Sequence, residues 1–164
     1  MGIQVVTATV DDWQRVRAVR LRALADAPDA FWTTLEQDTS RPDQLWRDHL
    51  ELTTHVTLLG VLDGVEEGMV WGMPHHANWG EAGLYGMWVA PEARGTGLAK
   101  ALVEAVIVWA RRSGYGVIRL DVNDDNVAAQ RLYAQCGAVP TGRRDTFPPP
   151  REHIQEHELL IDLS

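Results

Sequence analysis

A chain of 164 residues, 45% apolar and 23% charged, is long enough to bury one sizeable core and is expected to form a single domain over residues 1–164. Its net charge of −8 argues against non-specific nucleic-acid binding, which needs a basic footprint, and suits solubility or the attraction of a cationic small molecule. No apolar run approaches the roughly 20 residues of a membrane-spanning helix, Met1-Gly2-Ile3-Gln4 lacks the regions of a secretory leader, and the one cysteine, Cys136, excludes an internal disulfide. A cytoplasmic address with no membrane or nucleic-acid partner is therefore expected, and homodimerisation is compatible with the sequence.

Residues 3–8 are β-branched and apolar, as in a strand. Thr9 and Asp12 have capping-box spacing and open a helix. Its apolar Trp13, Val16, Val19, Leu21, Leu24 and Ala25 recur at helical spacing, with Arg15, Arg17, Arg20 and Arg22 mainly on the wet side. Ala27-Pro28-Asp29 ends it. Ser40, Pro42 and Asp43 announce a second helix running to about Leu52.

Strands are predicted at 56–62 and 65–73, joined as a hairpin at Asp63-Gly64, and at 84–90, closed by Pro91. From 97 to 112 the apolar positions are almost continuous, which predicts a helix buried on more than one side and stopped by Gly114. A buried strand at 117–122 precedes a helix that starts at Asp125 or Asn126 and runs through Cys136 to Gly137. The last strands are expected at 138–141 and 158–163, separated by Phe147-Pro148-Pro149-Pro150 as a stiff surface loop. This order indicates the α/β (α+β) class, a mixed sheet with helices on both faces.

The sharpest feature is Trp88-Val89-Ala90-Pro91-Glu92-Ala93-Arg94-Gly95-Thr96-Gly97-Leu98-Ala99-Lys100. A strand ends, a turn passes through two glycines and a long helix begins. Glycines allow close approach of a ligand to the backbone, and the amides of a helix's first turn attract an anion. Arg94 and Lys100 add positive charge. The spacing does not fit a P-loop, and the dinucleotide fingerprint would need a glycine at Lys100. A plain helix-starting turn remains an alternative for two glycines alone.

Arg94-x-x-Gly97-x-Ala99 resembles the Gln/Arg-x-x-Gly-x-Gly/Ala signature of the GNAT N-acetyltransferase superfamily, and Val89 and Pro91 sit where that family ends a strand with Val-x-Pro. Leu120-x-Val122, followed by Asn126-x-x-Ala129-x-x-Leu132-Tyr133-x-x-x-Gly137, is similar to its second motif. The resemblance covers residues 84–141, although Ala138 replaces an aromatic residue common after the glycine. It implies a GNAT-like fold and an acetyl-CoA-dependent N-acyltransferase, moving acetyl directly to a primary amine of a small molecule or protein in a ternary complex. The alternative is a non-catalytic acyl-CoA-binding module of the same fold.

The resemblance also implies roles. Strands 84–90 and 117–122 would part in a V, with the backbone of Met87, Trp88 and Val89 lining pantetheine. Backbone from Arg94 through Gly95, Thr96, Gly97, Leu98 and Ala99, with Lys100 beside it, would hold the pyrophosphate. Asn126 would bond the cofactor, and Tyr133 would contact it as general acid, its phenol having an ordinary pKa near 10. For the general base, Asp121 stands first and Glu81 second, with His75 and His76 in the same loop region. Phe31 and Trp32 are candidate acceptor-binding residues, Trp71, Trp79 and Trp88 could add lining, and Glu36, Asp38 and Glu81 could receive a cationic amine. Cys136, at a helix C-terminus, is disfavoured as an acyl-accepting nucleophile. No metal is expected: His153 and His157 have helical ligand spacing, but their segment leads into a strand.

Overall fold

The computed structural model describes residues 2–164. Its seven-stranded sheet has the order β1-β2-β3-β4-β5-β7-β6, with β1 Ile3–Thr7, β2 Val56–Leu62, β3 Val65–Pro74, β4 Ala82–Val89, β5 Val117–Asn123, β6 Val139–Thr146 and β7 Gln155–Asp162. Only the β4–β5 neighbours run parallel, so the sheet is mixed. The helices are α1 Trp13–Asp26, α2 Leu35–Thr39, α3 Asp43–Glu51, α4 Leu98–Arg112 and α5 Val127–Gln135.

The sheet buries apolar side chains on both faces. On one, Leu98, Leu102, Val103, Val106 and Ala110 of α4 join Tyr133 of α5 over Leu58, Val70, Ile118, Leu120 and Ile161. On the other, Val16, Val19, Ala23 and Leu24 of α1 pack with Trp46 of α3 against Leu59, Met69 and Trp88. The two-residue alternation of strand side chains feeds both layers.

Several boundaries differ from those expected. The last two strands are longer, since β6 continues to Thr146 and β7 begins at Gln155. Every residue of β6 is exposed at the sheet edge, so its pattern lacks the half-buried alternation that marks a strand. The short α2 is an additional helix, capped by a reciprocal box in which Gln37 N donates to Thr34 Oγ1 at 3.1 Å and Thr34 N to Gln37 Oε1 at 2.9 Å. Helix α4 is buried along one stripe rather than on several sides: Val108 is exposed, and Ile107 and Trp109 are half-buried. Phe147 is 1% exposed, so the proline loop is anchored by its first residue instead of lying wholly on the surface. Arg20, expected on the wet side of α1, is buried.

Two departures from regular pairing create space. The parallel β4–β5 ladder holds only Ala82↔Ile118 and Gly83↔Arg119, after which the strands part. Within β4, Tyr85 pairs with Trp71 and Trp88 with Met69, so Gly86 and Met87 stand opposite the single residue Val70. This is a β-bulge, and Gly86 takes the positive φ of 64° that such a bulge needs. The bend turns β4 away from β5.

Leu102 is fully buried between α4 and the sheet. Leu102→Ala is expected to cost about 2–5 kcal/mol, measured by urea denaturation, with little change in far-ultraviolet circular dichroism.

Candidate active site

Where β4 and β5 part, a cavity of about 470 Å³ opens. Its walls come from Arg20 of α1, the segment carrying Phe31 and Trp32, Trp71 of β3, Leu84 to Met87 of β4, Asp121 to Asn123 of β5, Ala129 and Tyr133 of α5, and Glu156 of β7. Met87, Asn126, Tyr133, Asp121, Phe31 and Trp32 thus meet in one place. Trp88 and Val89 are buried and do not line it. The Trp88 indole instead donates to Asp26 Oδ2 at 3.0 Å.

The glycine turn is built as an anion cradle. Gly97 caps α4 at φ 93°, a left-handed conformation that costs other residues about 1–2 kcal/mol. Among the described residues, the amides of Gly95, Thr96, Gly97, Ala99 and Lys100 have no protein acceptor, and Leu98 N reaches only Thr96 Oγ1 at 3.4 Å. Unpaired helix-start amides and the unpaired edges of two parting strands fit a pantetheine diphosphate.

The expected cationic flank needs correction. The Arg94 guanidinium donates to Asp26 Oδ2 at 2.8 Å and to Val89 O at 3.1 Å. It fastens the turn to the end of α1. Lys100 lies 3.8 Å from Glu104. Both cationic side chains thus have a carboxylate neighbour, and the backbone amides are the donors left unpaired at the turn. Asn126 Oδ1 accepts from Ala129 N at 3.1 Å, so its carbonyl caps α5 and its NH₂ group is the part left for a ligand.

Tyr133 is 5% exposed, and burial raises its phenol well above the ordinary value. It stays protonated at neutral pH and so has a proton to donate. Cys136 is also raised by burial, with Glu104 adding to the effect, and it does not line the cavity.

The carboxylates sort differently from the sequence expectation. Glu81 is paired with Arg119, which also donates to Glu158 at 2.8 Å, and Glu81 does not line the cavity. Asp38, considered as an amine acceptor, is instead buried between Arg20 and Arg41, each at 3.0 Å, and Glu36 is exposed. Asp121 sits at the cavity rim, its carboxyl raised by desolvation and by Glu158.

Glu156, which sequence reasoning missed, is 5% exposed and lines the cavity. Desolvation, then the neighbouring Asp121, lift its pKa from 4.5 to about 7, and a 3.1 Å hydrogen bond from Trp32 Nε1 only partly opposes this. Pairing of Asn123 with Glu156 and of Asp121 with Glu158 puts all four side chains on one face of the sheet. The sequence carried no signal for this, because Gln155-Glu156-His157-Glu158 is wholly polar and only the burial of Glu156 and Glu158 marks the segment as part of the last strand.

Of the other candidates, Trp79 is 99% exposed and lines nothing. His75 Nδ1 accepts from Ala77 N and Asn78 N, and burial lowers its pKa. His76 lines the cavity and bonds the Tyr85 hydroxyl at 3.0 Å. His157 pairs with Asp124 at 2.8 Å. Arg151, not singled out from sequence, donates to the carbonyls of Pro28, Phe31 and Trp32 at 2.9, 2.9 and 2.6 Å. It pins the segment that presents Phe31 and Trp32.

The acetyltransferase (GNAT) family pattern matches residues 21–138. Mycothiol acetyltransferase of Thermobispora bispora is 34% identical over 124 residues, covering 73% of this chain and 40% of that protein. That of Salinispora arenicola is 34% identical over 122 residues, covering 73% of this chain and 39% of the relative. This chain therefore spans about two fifths of the length of these curated relatives. Among solved structures, yncA of Salmonella typhimurium with its cofactor acetyl-CoA superposes at TM-score 0.80 and 19% identity, over 100% of this chain and 95% of that one. A GNAT-family acetyltransferase from Streptococcus pneumoniae gives 0.80 at 21% identity, covering 99% and 100%. The chain belongs to the GNAT acetyltransferase family, whose acyl donor is acetyl-CoA.

Glu156 gives a stability signature. Its native pKa lies above the unfolded one, so the native state holds the extra proton between about pH 4.5 and 7. Stability therefore falls as pH rises through that window. Glu156→Gln is expected to flatten this dependence and to raise stability at pH 8 by about 1–3 kcal/mol, measured by denaturant titration at several pH values.

Proposed function

We propose that this chain catalyses acetyl transfer from acetyl-CoA to a primary amine by direct attack in a ternary complex. The observation that carries the reading is the cavity itself, where a phenol that burial keeps protonated and a carboxyl held near neutrality meet between the parting strands. Acetyl-CoA supplies the activated acyl group. The turn from Arg94 to Lys100 binds its diphosphate through main-chain amides, and Met87 and Asn126 position the pantetheine arm.

Glu156, ionised in part at neutral pH, accepts the proton that the acceptor ammonium must lose, directly or through water. Asp121, at the rim of the same cavity, contributes negative charge that favours the ammonium and relays the proton outward. This assignment moves the base from Asp121 and Glu81 to Glu156. Glu81 is already neutralised by Arg119. Tyr133 holds a proton at its hydroxyl for the departing sulfur. Phe31 and Trp32 shape the acceptor side, and no acyl-cysteine is formed because the Cys136 thiol lies outside the cavity with a raised pKa. No helix among the described residues is long and apolar enough to cross a membrane, and a cytoplasmic setting, with its acetyl-CoA pool, suits this reaction.

Thiol release from acetyl-CoA in the presence of an amine panel tests the reading. Turnover is expected, whereas thermal stabilisation by acetyl-CoA without turnover on any amine would favour a binding module. Tyr133→Phe is expected to lower kcat by roughly 10²–10⁴-fold with acetyl-CoA affinity nearly unchanged. In the wild type, log kcat should rise with pH through about 7 as Glu156 ionises. Glu156→Gln should lower kcat and abolish that limb, and a limb that survives the substitution would remove Glu156 as the base.

A further inference from the structure

The side chain of Arg20 is 7% exposed, yet it lines the cavity. Two of its three nitrogens are occupied: Nε donates to Asp38 Oδ2 at 3.0 Å and Nη2 to Thr33 Oγ1 at 2.9 Å. The guanidinium lies between two rings, 4.6 Å from the Phe31 centroid and 4.9 Å from that of Trp71. Packing and ion pairing on several sides leave it little freedom to swing. Nη1, however, is buried without any hydrogen-bond partner, and so is Nε1 of the adjoining Trp71. A Cβ built on Gly86, at the β4 bulge that lines the cavity, would lie 3.4 Å from Nη1.

Leaving a buried donor unpaired is costly, the more so for a charged group, and such orphans call for an explanation. Charge balance sharpens the point. Asp38 is shared by Arg20 and Arg41, so two guanidiniums face one carboxylate and a positive charge is left over. Glu156 and Asp121 line the same cavity, and Arg119 is committed to Glu81 and Glu158. The space between is walled by Phe31, Trp32, Trp71 and Tyr85. The cavity is therefore lined by a buried cation from α1, by carboxyls from β5 and β7, and by aromatic rings.

We propose that Arg20, through Nη1, binds a carboxylate on the acceptor, so that the substrates are amines bearing an acid group, as amino acids do. The inference rests on the transfer reaction proposed above and names the chemical class of its acceptor. The ammonium lies toward Glu156 and the carboxylate toward Arg20. Both charges are then paired, as burial requires, and the orphaned donor gains its acceptor. Arg20 is a specificity-determining residue and takes no part in proton transfer.

Two measurements test this separately from catalysis. Isothermal titration of the wild-type protein compares N-acetyl amino acids with small, aromatic and charged side chains, each beside its decarboxylated N-acetyl amine. The acids are expected to bind roughly 10- to 100-fold more tightly, as for one hydrogen bond to a charged group. Equal or weaker binding of the acids throughout would overturn the proposal. Binding of the acids with no turnover of any amine would sink the transfer reaction but leave the carboxylate site standing. Kinetics on amino acids and their decarboxylated amines form the second test. Arg20→Lys, which keeps the charge opposite Asp38 but loses the planar fork, should raise KM for the amino acid and shrink the preference about tenfold, with KM for acetyl-CoA unchanged. A rise in KM for acetyl-CoA alone would place Nη1 on the donor and overturn the proposal. Should Arg20→Lys not fold, the wild-type comparison decides.

Discussion

The site depends on β4 and β5 ceasing to pair. Backbone donors and acceptors inside a sheet are obligatory partners, and the two strands satisfy that demand for only two register positions before the bulge at Gly86 and Met87 turns β4 aside. Beyond that point the edges of both strands need another partner, and pantetheine, with its own amides, can supply one much as a strand would. The same divergence opens the cavity that holds Tyr133 on one side and Glu156 on the other.

The sheet is held open by its surroundings. Asp26, ending α1, accepts from both the Trp88 indole and the Arg94 guanidinium, tying the first helix to the end of β4 and to the glycine turn. Arg151 grips three carbonyls of the 28–32 segment from the far end of the chain, and the buried Phe147 lies 6.3 Å from Trp32. The cavity wall formed by Phe31 and Trp32 is therefore assembled from segments more than a hundred residues apart in sequence. It is positioned by charged side chains bonded to backbone, which hold direction better than apolar contacts alone.

Polarity in this cavity costs stability. A carboxyl at 5% exposure whose main stabilising partner is one indole, and a guanidinium with an unsatisfied nitrogen, are arrangements that folding alone disfavours. Desolvation holds Glu156 near the pH at which proton transfer is efficient, and the rigid Arg20 cluster leaves one donor ready in advance. Both features are consistent with a site prepared for a ligand carrying opposite charges at its two ends.

The local parts of this structure were legible in the amino-acid sequence: the Thr9–Asp12 box, the hairpin at Asp63-Gly64, the glycine turn, and the motif carrying Asn126 and Tyr133. Each rests on short-range rules, in which a cap, a positive φ or a helical spacing is written within a few neighbouring residues. The box at Thr34 and Gln37 obeys the same rule, but its helix of five residues is too short to show an apolar periodicity. Glu156 and Arg20 could not be found that way. Arg20 sits in a run of arginines that reads as a wet helix face, and only packing of Asp38, Phe31 and Trp71 around it makes it a buried charge. Glu156 precedes the expected start of a strand, and only its pairing beside β5 places it across from Asn123. The sequence by itself determined the fold family and the glycine turn that starts α4, because those reside in contiguous backbone. Tertiary structure alone decided which acids and bases face one another, because desolvation and charge pairing arise from groups that are distant along the chain.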